Sequence, residues 1–250
     1  QSQQVIAMTL SNSSLAQQTL VVIGAGSGIG AAVARQAAAR GARVVLAGRS
    51  PEALQRQQAQ LPESACSIAV DITDTASLQA LFARVGAFDH LVISAGPAIA
   101  AKPLADTDLL DAQRAFEVKF WGVWRAVQAA LPTLAPQGSI SLTSGLLSRK
   151  MVPGQVLKTT LNAALEALGK HLAKELAPRR VNVISPGVTA TEAYAGMPED
   201  AREAMFARTG ANLPVGRVGQ PDEVAAAFIL AMENGFISGS LIDVDGGGLL

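Results

Sequence analysis

Apolar residues gather into short runs along this chain, and alanine-rich segments of helical length separate most of those runs. The runs predict strands at Thr19–Ile23, Arg43–Ala47, Ser67–Val70, His90–Ile93, Ile140–Thr143, Val181–Ile184 and Leu241–Val244. They are continuous rather than alternating, which is how strands covered on both faces read. Helix boundaries are marked as well. Ser50 is placed to cap a helix whose first residue is Pro51, where a missing N–H costs nothing. Asp74 heads another that ends near Gly86, and an earlier one closes at Arg40-Gly41, where glycine can turn left-handed. Strands alternating with helices predict an α/β fold, a doubly wound parallel sheet with helices on both faces. No repeat, low-complexity tract or linker interrupts residues 19–250, so a single domain is expected there, preceded by an extension over residues 1–18. Gln1 is not a native start and Met8 is a plausible one, so residues 1–7 are expected to lie outside the natural chain.

Composition narrows the class. A chain of 250 residues can bury a substantial core. It is 49% hydrophobic but only 4% aromatic, so that core must be built from Ala, Val, Leu and Ile. Twenty basic residues balance twenty acidic ones, which argues against nucleic acid or an anionic membrane as partner. The single cysteine, Cys66, excludes an intrachain disulfide framework and fits a reducing compartment. No apolar run reaches the roughly 18 residues that span a bilayer. The first 18 residues lack the basic start and apolar stretch of a signal peptide. A soluble, cytoplasmic protein is expected. No His/Cys/Asp spacing suggests a metal site, and His90 and His171 read as structural or surface residues.

The sharpest local signal follows the first strand, where Ile23 runs into Gly24-Ala25-Gly26-Ser27-Gly28-Ile29-Gly30. Gly24 permits a tight turn, Gly28 allows a pyrophosphate to approach the backbone, and Gly30 allows the helix to pack on the strand. Phosphates would then sit at a helix N-terminus, where unpaired N–H groups and the helix dipole favour an anion. A strand before the turn and a helix after it favour a Rossmann-type dinucleotide site over an empty turn.

From these residues the chain resembles the short-chain dehydrogenase/reductase family over about residues 19–248. The glycine turn is similar to that family's TGxxxGIG element, with Ile23 replacing the usual Thr. Asp71-Ile72 resembles its adenine-contacting pair. Residues 89–96, ending in Ser94-Ala95-Gly96, resemble DxLVNNAG with both asparagines lost. Asn182-Val183-Ile184-Ser185-Pro186-Gly187, followed by Val188 and Thr191, resembles the VNxxxPGxxxT element that lines the nicotinamide site. Residues 216–225 and Asp243-Val244-Asp245-Gly246-Gly247 complete the pattern. The resemblance implies a nicotinamide cofactor held by these segments and a homotetramer or homodimer.

The end of the second strand addresses which cofactor. An acidic residue there would accept hydrogen bonds from the ribose hydroxyls of NAD. The chain instead has Ala47-Gly48-Arg49-Ser50, offering a guanidinium that can fork onto a 2′-phosphate and a hydroxyl beside it. NADP(H) is favoured over NAD(H).

The positions that should carry the chemistry depart from the family. The resemblance implies a Ser that orients the carbonyl, a Tyr that is the general acid/base, and a Lys four residues later that lowers the Tyr pKa and holds the ribose. Alignment places Gly145, Lys158 and Asn162 at those three positions, and Lys119 where a helix Asn supports a relay water. The only tyrosine, Tyr194, lies in the 189–213 segment, expected to form a mobile lid over an apolar substrate. Ser144 leaves a hydroxyl one residue from the orienting position. Lys158 could donate a proton if partly desolvated, and Lys119 nearby would lower its pKa further. Together they could also bind an acidic substrate and stabilise developing negative charge. Three functions stay open: an NADP(H)-dependent oxidoreductase with an altered active site, a catalytically silent NADP-binding sensor or scaffold, and a non-redox lyase or isomerase.

Overall fold

The computed structural model describes residues 14–250. One parallel sheet holds seven strands in the order β3-β2-β1-β4-β5-β6-β7. They are β1 (Thr19–Ile23), β2 (Arg43–Gly48), β3 (Cys66–Ala69), β4 (Phe88–Ile93), β5 (Leu134–Thr143), β6 (Arg180–Pro186) and β7 (Leu241–Val244). The helices that cross between them are α1 (Gly28–Ala39), α2 (Pro51–Gln58), α3 (Thr75–Val85), α4 (Leu109–Phe116), α5 (Gly122–Ala130), α6 (Val156–Glu175), α7 (Glu199–Ala211) and α8 (Pro221–Glu233). This is the doubly wound Rossmann-type sheet in a single domain. The chain runs outward from β1 to β3 and then returns to place β4 on the other side of β1, with Ile23 paired to Ile93. That reversal opens a crevice at the strand ends, which is where such folds bind ligands.

The caps work as their residue types require. Ser50 Oγ accepts from the Ala53 N–H at 3.2 Å with Pro51 behind it, and Asp74 Oδ1 accepts from Ala76 N–H at 2.9 Å. Gly41 takes a φ of +87° as α1 ends. Two apolar layers flank the sheet. On one side Phe82, Leu91, Val127 and Leu165 bring α3, α5 and α6 together, with Phe82 and Phe88 stacked at 5.5 Å. On the other, Leu20, Val33, Leu46 and Phe228 seat α1 and α8.

Some bounds differ from the sequence expectation. β5 starts at Leu134 rather than Ile140, because Phe88 pairs with Leu134 before the register shifts to His90 with Ser139. The polar Pro136-Gln137-Gly138 stretch conceals that extension. β3 lies one residue earlier than Ser67–Val70, with Val70 instead donating its N–H to Gly48 O. Residues 14–18, assigned to an extension from sequence, pack into the domain: Leu15 is buried and its N–H donates to Arg40 O at 3.1 Å. Residues 1–13 of that extension lie outside the described residues. His90 is buried between Ser139 Oγ at 2.8 Å and Gln18 Oε1, and burial lowers its pKa to about 4. His171 is exposed, 3.0 Å from Glu175. No described helix is long and apolar enough to cross a membrane.

Candidate active site

At the crevice, a groove of about 640 Å³ gathers most of the predicted cofactor residues. Gly24, Ser27, Gly28 and Ile29 line it from the turn, Arg49 and Ser50 from just after β2, Ile72 from beyond β3, Ser94-Ala95-Gly96 from just after β4, and Thr191 from the segment after β6. The glycines differ in what a side chain would meet. A Cβ on Gly24 would lie 2.6 Å from Ala95 N, and one on Gly30 only 2.2 Å from Gly24 O, so those two are required by packing. Gly28 instead has a φ of +55° and turns its bare Cα toward the groove and Thr191. Ser27 gives α1 no side-chain cap, and its first turn holds no acidic residue, which leaves the opening N–H groups free for an anion. These residues fit a dinucleotide.

Other predicted residues stand back from the groove. Asp71 is exposed, and its Oδ1 accepts from the Thr73 N–H and hydroxyl at 2.9 and 2.8 Å, which holds its carboxyl below the usual range. Pro186, Gly187 and Val188 shape the backbone behind it. Gly187 N–H donates to Val244 O, Val188 O accepts from Gly219, and a Cβ at 187 would lie 2.8 Å from Asp245 Cα. Ser50's hydroxyl is engaged, capping α2 and donating to Glu52 Oε2 at 3.0 Å.

The groove also contains residues that sequence reasoning missed. Arg56 lines it from α2, adding a second guanidinium near Arg49. Glu192 brings a carboxylate toward the phosphate turn, with Oε2 3.5 Å from where a Cβ on Gly28 would sit. Neither belongs to a motif, so spacing gave no signal for them.

Beyond Pro97, Ala98 and Val118, the groove continues into a second cleft of about 380 Å³ whose lining includes Lys158. Lys119 sits on the π-helical turn Glu117–Trp121 that joins α4 to α5. Such a turn commonly marks a functional position. Its Nζ donates to Asn162 Oδ1 at 2.7 Å, across to α6. Lys158 and Asn162 are four residues apart, on one face of α6. Burial first, and then the charge of Lys158, lower the Lys119 pKa to about 8; burial also lowers that of Lys158. Gly145 faces the same amide, since a Cβ there would lie 3.0 Å from Asn162 Nδ2. Lys119, Asn162, Gly145 and Lys158 therefore form one constellation.

Ser144 is turned elsewhere. Its buried hydroxyl donates to Glu166 Oε1 at 3.0 Å, alongside Ser148, in a network continued by Arg149 and Asp243. Tyr194 packs edge-on against Phe206 at 5.3 Å, between the short turn Glu192–Tyr194 and α7.

Comparison with known proteins places this geometry. The sequence model of a family described as "Enoyl-(Acyl carrier protein) reductase" matches residues 24–248. The chain is 33% identical to the "Short-chain dehydrogenase/reductase ATR9" of Stachybotrys chlorohalonatus, covering 93% of this chain and 97% of that protein. The chain belongs to the short-chain dehydrogenase/reductase family. It is therefore grouped with oxidoreductases. It is also 33% identical to the "Cis-4-hydroxycyclohexanecarboxylate dehydrogenase" of Sinomonas cyclohexanicum, over 93% of this chain and 96% of that one. Among solved structures, a small-chain dehydrogenase in complex with NADPH superposes with a TM-score of 0.82 at 43% identity, covering 93% of this chain and 98% of the other. The family's sheet and its glycine turn account for the groove.

Proposed function

We propose that this family member is an NADP(H)-dependent oxidoreductase that interconverts a carbonyl and an alcohol, with Lys158 in place of the Ser-Tyr-Lys relay. The observation that carries the proposal is the contiguous path from the glycine turn to Lys158, a half-buried ammonium in the cleft that adjoins the cofactor groove. When bound, the nicotinamide supplies or accepts a hydride. The unpaired N–H groups of α1 hold phosphate, and Arg49 and Arg56 favour the additional 2′-phosphate of NADP. The NADPH bound to the 43% identical neighbour supports the same choice.

Lys158 donates a proton to the carbonyl oxygen during reduction and takes one back from the alcohol during oxidation. Lys119 adds positive charge behind it, which favours loss of the Lys158 proton and stabilises negative charge developing on oxygen. Asn162 positions Lys119 by accepting a hydrogen bond from its ammonium at 2.7 Å. Ser144 has no part in this scheme, since Glu166 holds its hydroxyl. NADPH oxidation against a panel of ketones and aldehydes tests the proposal. Tight NADPH binding with no oxidation by any carbonyl would favour the silent binding protein instead.

Cofactor choice has its own test. Arg49→Ala is expected to weaken NADP(H) by about 1.5–3 kcal/mol, the range for a hydrogen bond to a charged group, and to leave NAD(H) nearly unchanged. Calorimetry with both cofactors measures this. Equal affinities in the wild-type protein would overturn the assignment.

A further inference from the structure

Two ammonium groups withdrawn from water, Lys158 in the wall of this cleft and Lys119 beside Gly96 of the adjoining groove, have no counter-ion among the described residues. Lys119 makes its hydrogen bond to the neutral amide of Asn162, and the Lys158 ammonium has no ion-pair or hydrogen-bond partner among the described residues. The carboxylates around them are engaged elsewhere. Glu117 pairs with Arg125 at 2.6 Å, and Asp111 with Arg114 at 3.3 Å. Asp108 accepts the N–H groups of Leu110 and Asp111 at 2.8 and 3.1 Å. Glu166 accepts two serine hydroxyls and lies 3.7 Å from Arg149. Withdrawing a cation from water without a partner destabilises the fold. Both lysines register that cost as lowered pKa values. The rest of the wall mixes apolar Ile99, Ala115, Val118 and Leu157 with the Asp111–Arg114 pair, Asp108 and the exposed Lys102, so the cleft suits a compact organic molecule with a polar end.

We propose that the cleft takes a carbonyl compound bearing a carboxylate, and that this carboxylate is the counter-ion Lys119 and Lys158 lack. The carbonyl part rests on the oxidoreductase reading; the carboxylate part rests on the two lysines alone. An anion bound beside Lys119 raises its pKa from about 8 back toward 10.5. Binding near pH 8 therefore draws a fraction of a proton from solvent, an effect absent for a neutral ligand.

The test uses protein saturated with NADP⁺, in which no reduction proceeds. It is titrated at pH 8 with benzoylformate and with its neutral amide, in buffers of differing ionisation enthalpy. Pyruvate and pyruvamide form a smaller second pair. In at least one pair the acid is expected to bind roughly 10- to 100-fold more tightly than the amide, on the scale of a charge-assisted hydrogen bond. It should take up part of a proton on binding. Lys119→Met should remove the proton uptake, and Lys158→Met should bring the acid's affinity down towards the amide's. Equal affinity of acid and amide in both pairs, or uptake unchanged in Lys119→Met, would overturn the proposal. Acid binding as expected with no NADPH oxidation by any carbonyl would instead overturn the oxidoreductase reading and leave the carboxylate site standing.

Discussion

Lys158→Met is expected to lower turnover about 10²–10⁴-fold, the usual contribution of a positioned general acid, with NADPH binding retained. Methionine keeps the apolar stem that lies in the cleft and removes both the proton and the charge. The wild-type rate of reduction should fall as pH rises through the Lys158 pKa, because the ammonium is the donor; burial places that pKa below 10.5. Lys119, with its pKa of about 8, loses its proton within the same alkaline range. Steady-state rates and a rate–pH profile check both points. An unchanged rate in Lys158→Met would assign the proton to water or substrate. The complementary experiment installs the family relay, and the structure dictates how many residues it needs. Gly145→Ser, Lys158→Tyr and Asn162→Lys together would set a new ammonium where Lys119 already reaches the Asn162 amide at 2.7 Å. Lys119→Asn must accompany them. The fourfold variant is expected to gain reductase activity over the threefold one, in which two ammonium groups repel at one point.

Gly28→Val is expected to abolish NADPH binding while the protein still folds. The residue holds a φ of +55°, open to glycine and strained for a β-branched side chain, and its Cα faces the cofactor groove. A Cβ there would stand 3.4 Å from Thr191, in ordinary contact, so the space lost belongs to the pyrophosphate and not to the core. Backbone strain of about 1–3 kcal/mol lowers the melting temperature by several degrees. Calorimetry should detect no NADPH binding, and a thermal melt should stay cooperative. Normal binding by the variant would remove the glycine turn from the cofactor site.

The sequence by itself determined the α/β class, the parallel sheet, and the bounds of β1 and β7, because apolar runs and glycine turns are local signals. The spacing of Gly24, Gly28 and Gly30 around the first turn was legible as well. A φ of +55° and a Cβ meeting carbonyl oxygen at 2.2 Å are consequences of spacing around one strand–helix turn. The sequence also raised the expectation that Lys119, Gly145, Lys158 and Asn162 stand where the family resemblance implies other residues. What they do together was decided only in three dimensions. Residues 119 and 162 lie on different helices, and only the packing of α6 against the π-helical turn joins ammonium to amide. Among the described residues Asp108, Asp111, Glu117 and Glu166 are held by partners of their own, and neither Lys119 nor Lys158 has an acidic one. Ser144 was misplaced for a related reason, since its direction depends on Glu166, a residue 22 positions away. Arg56 and Glu192 escaped notice because they reach the groove by tertiary placement, and a groove leaves no periodicity in the chain.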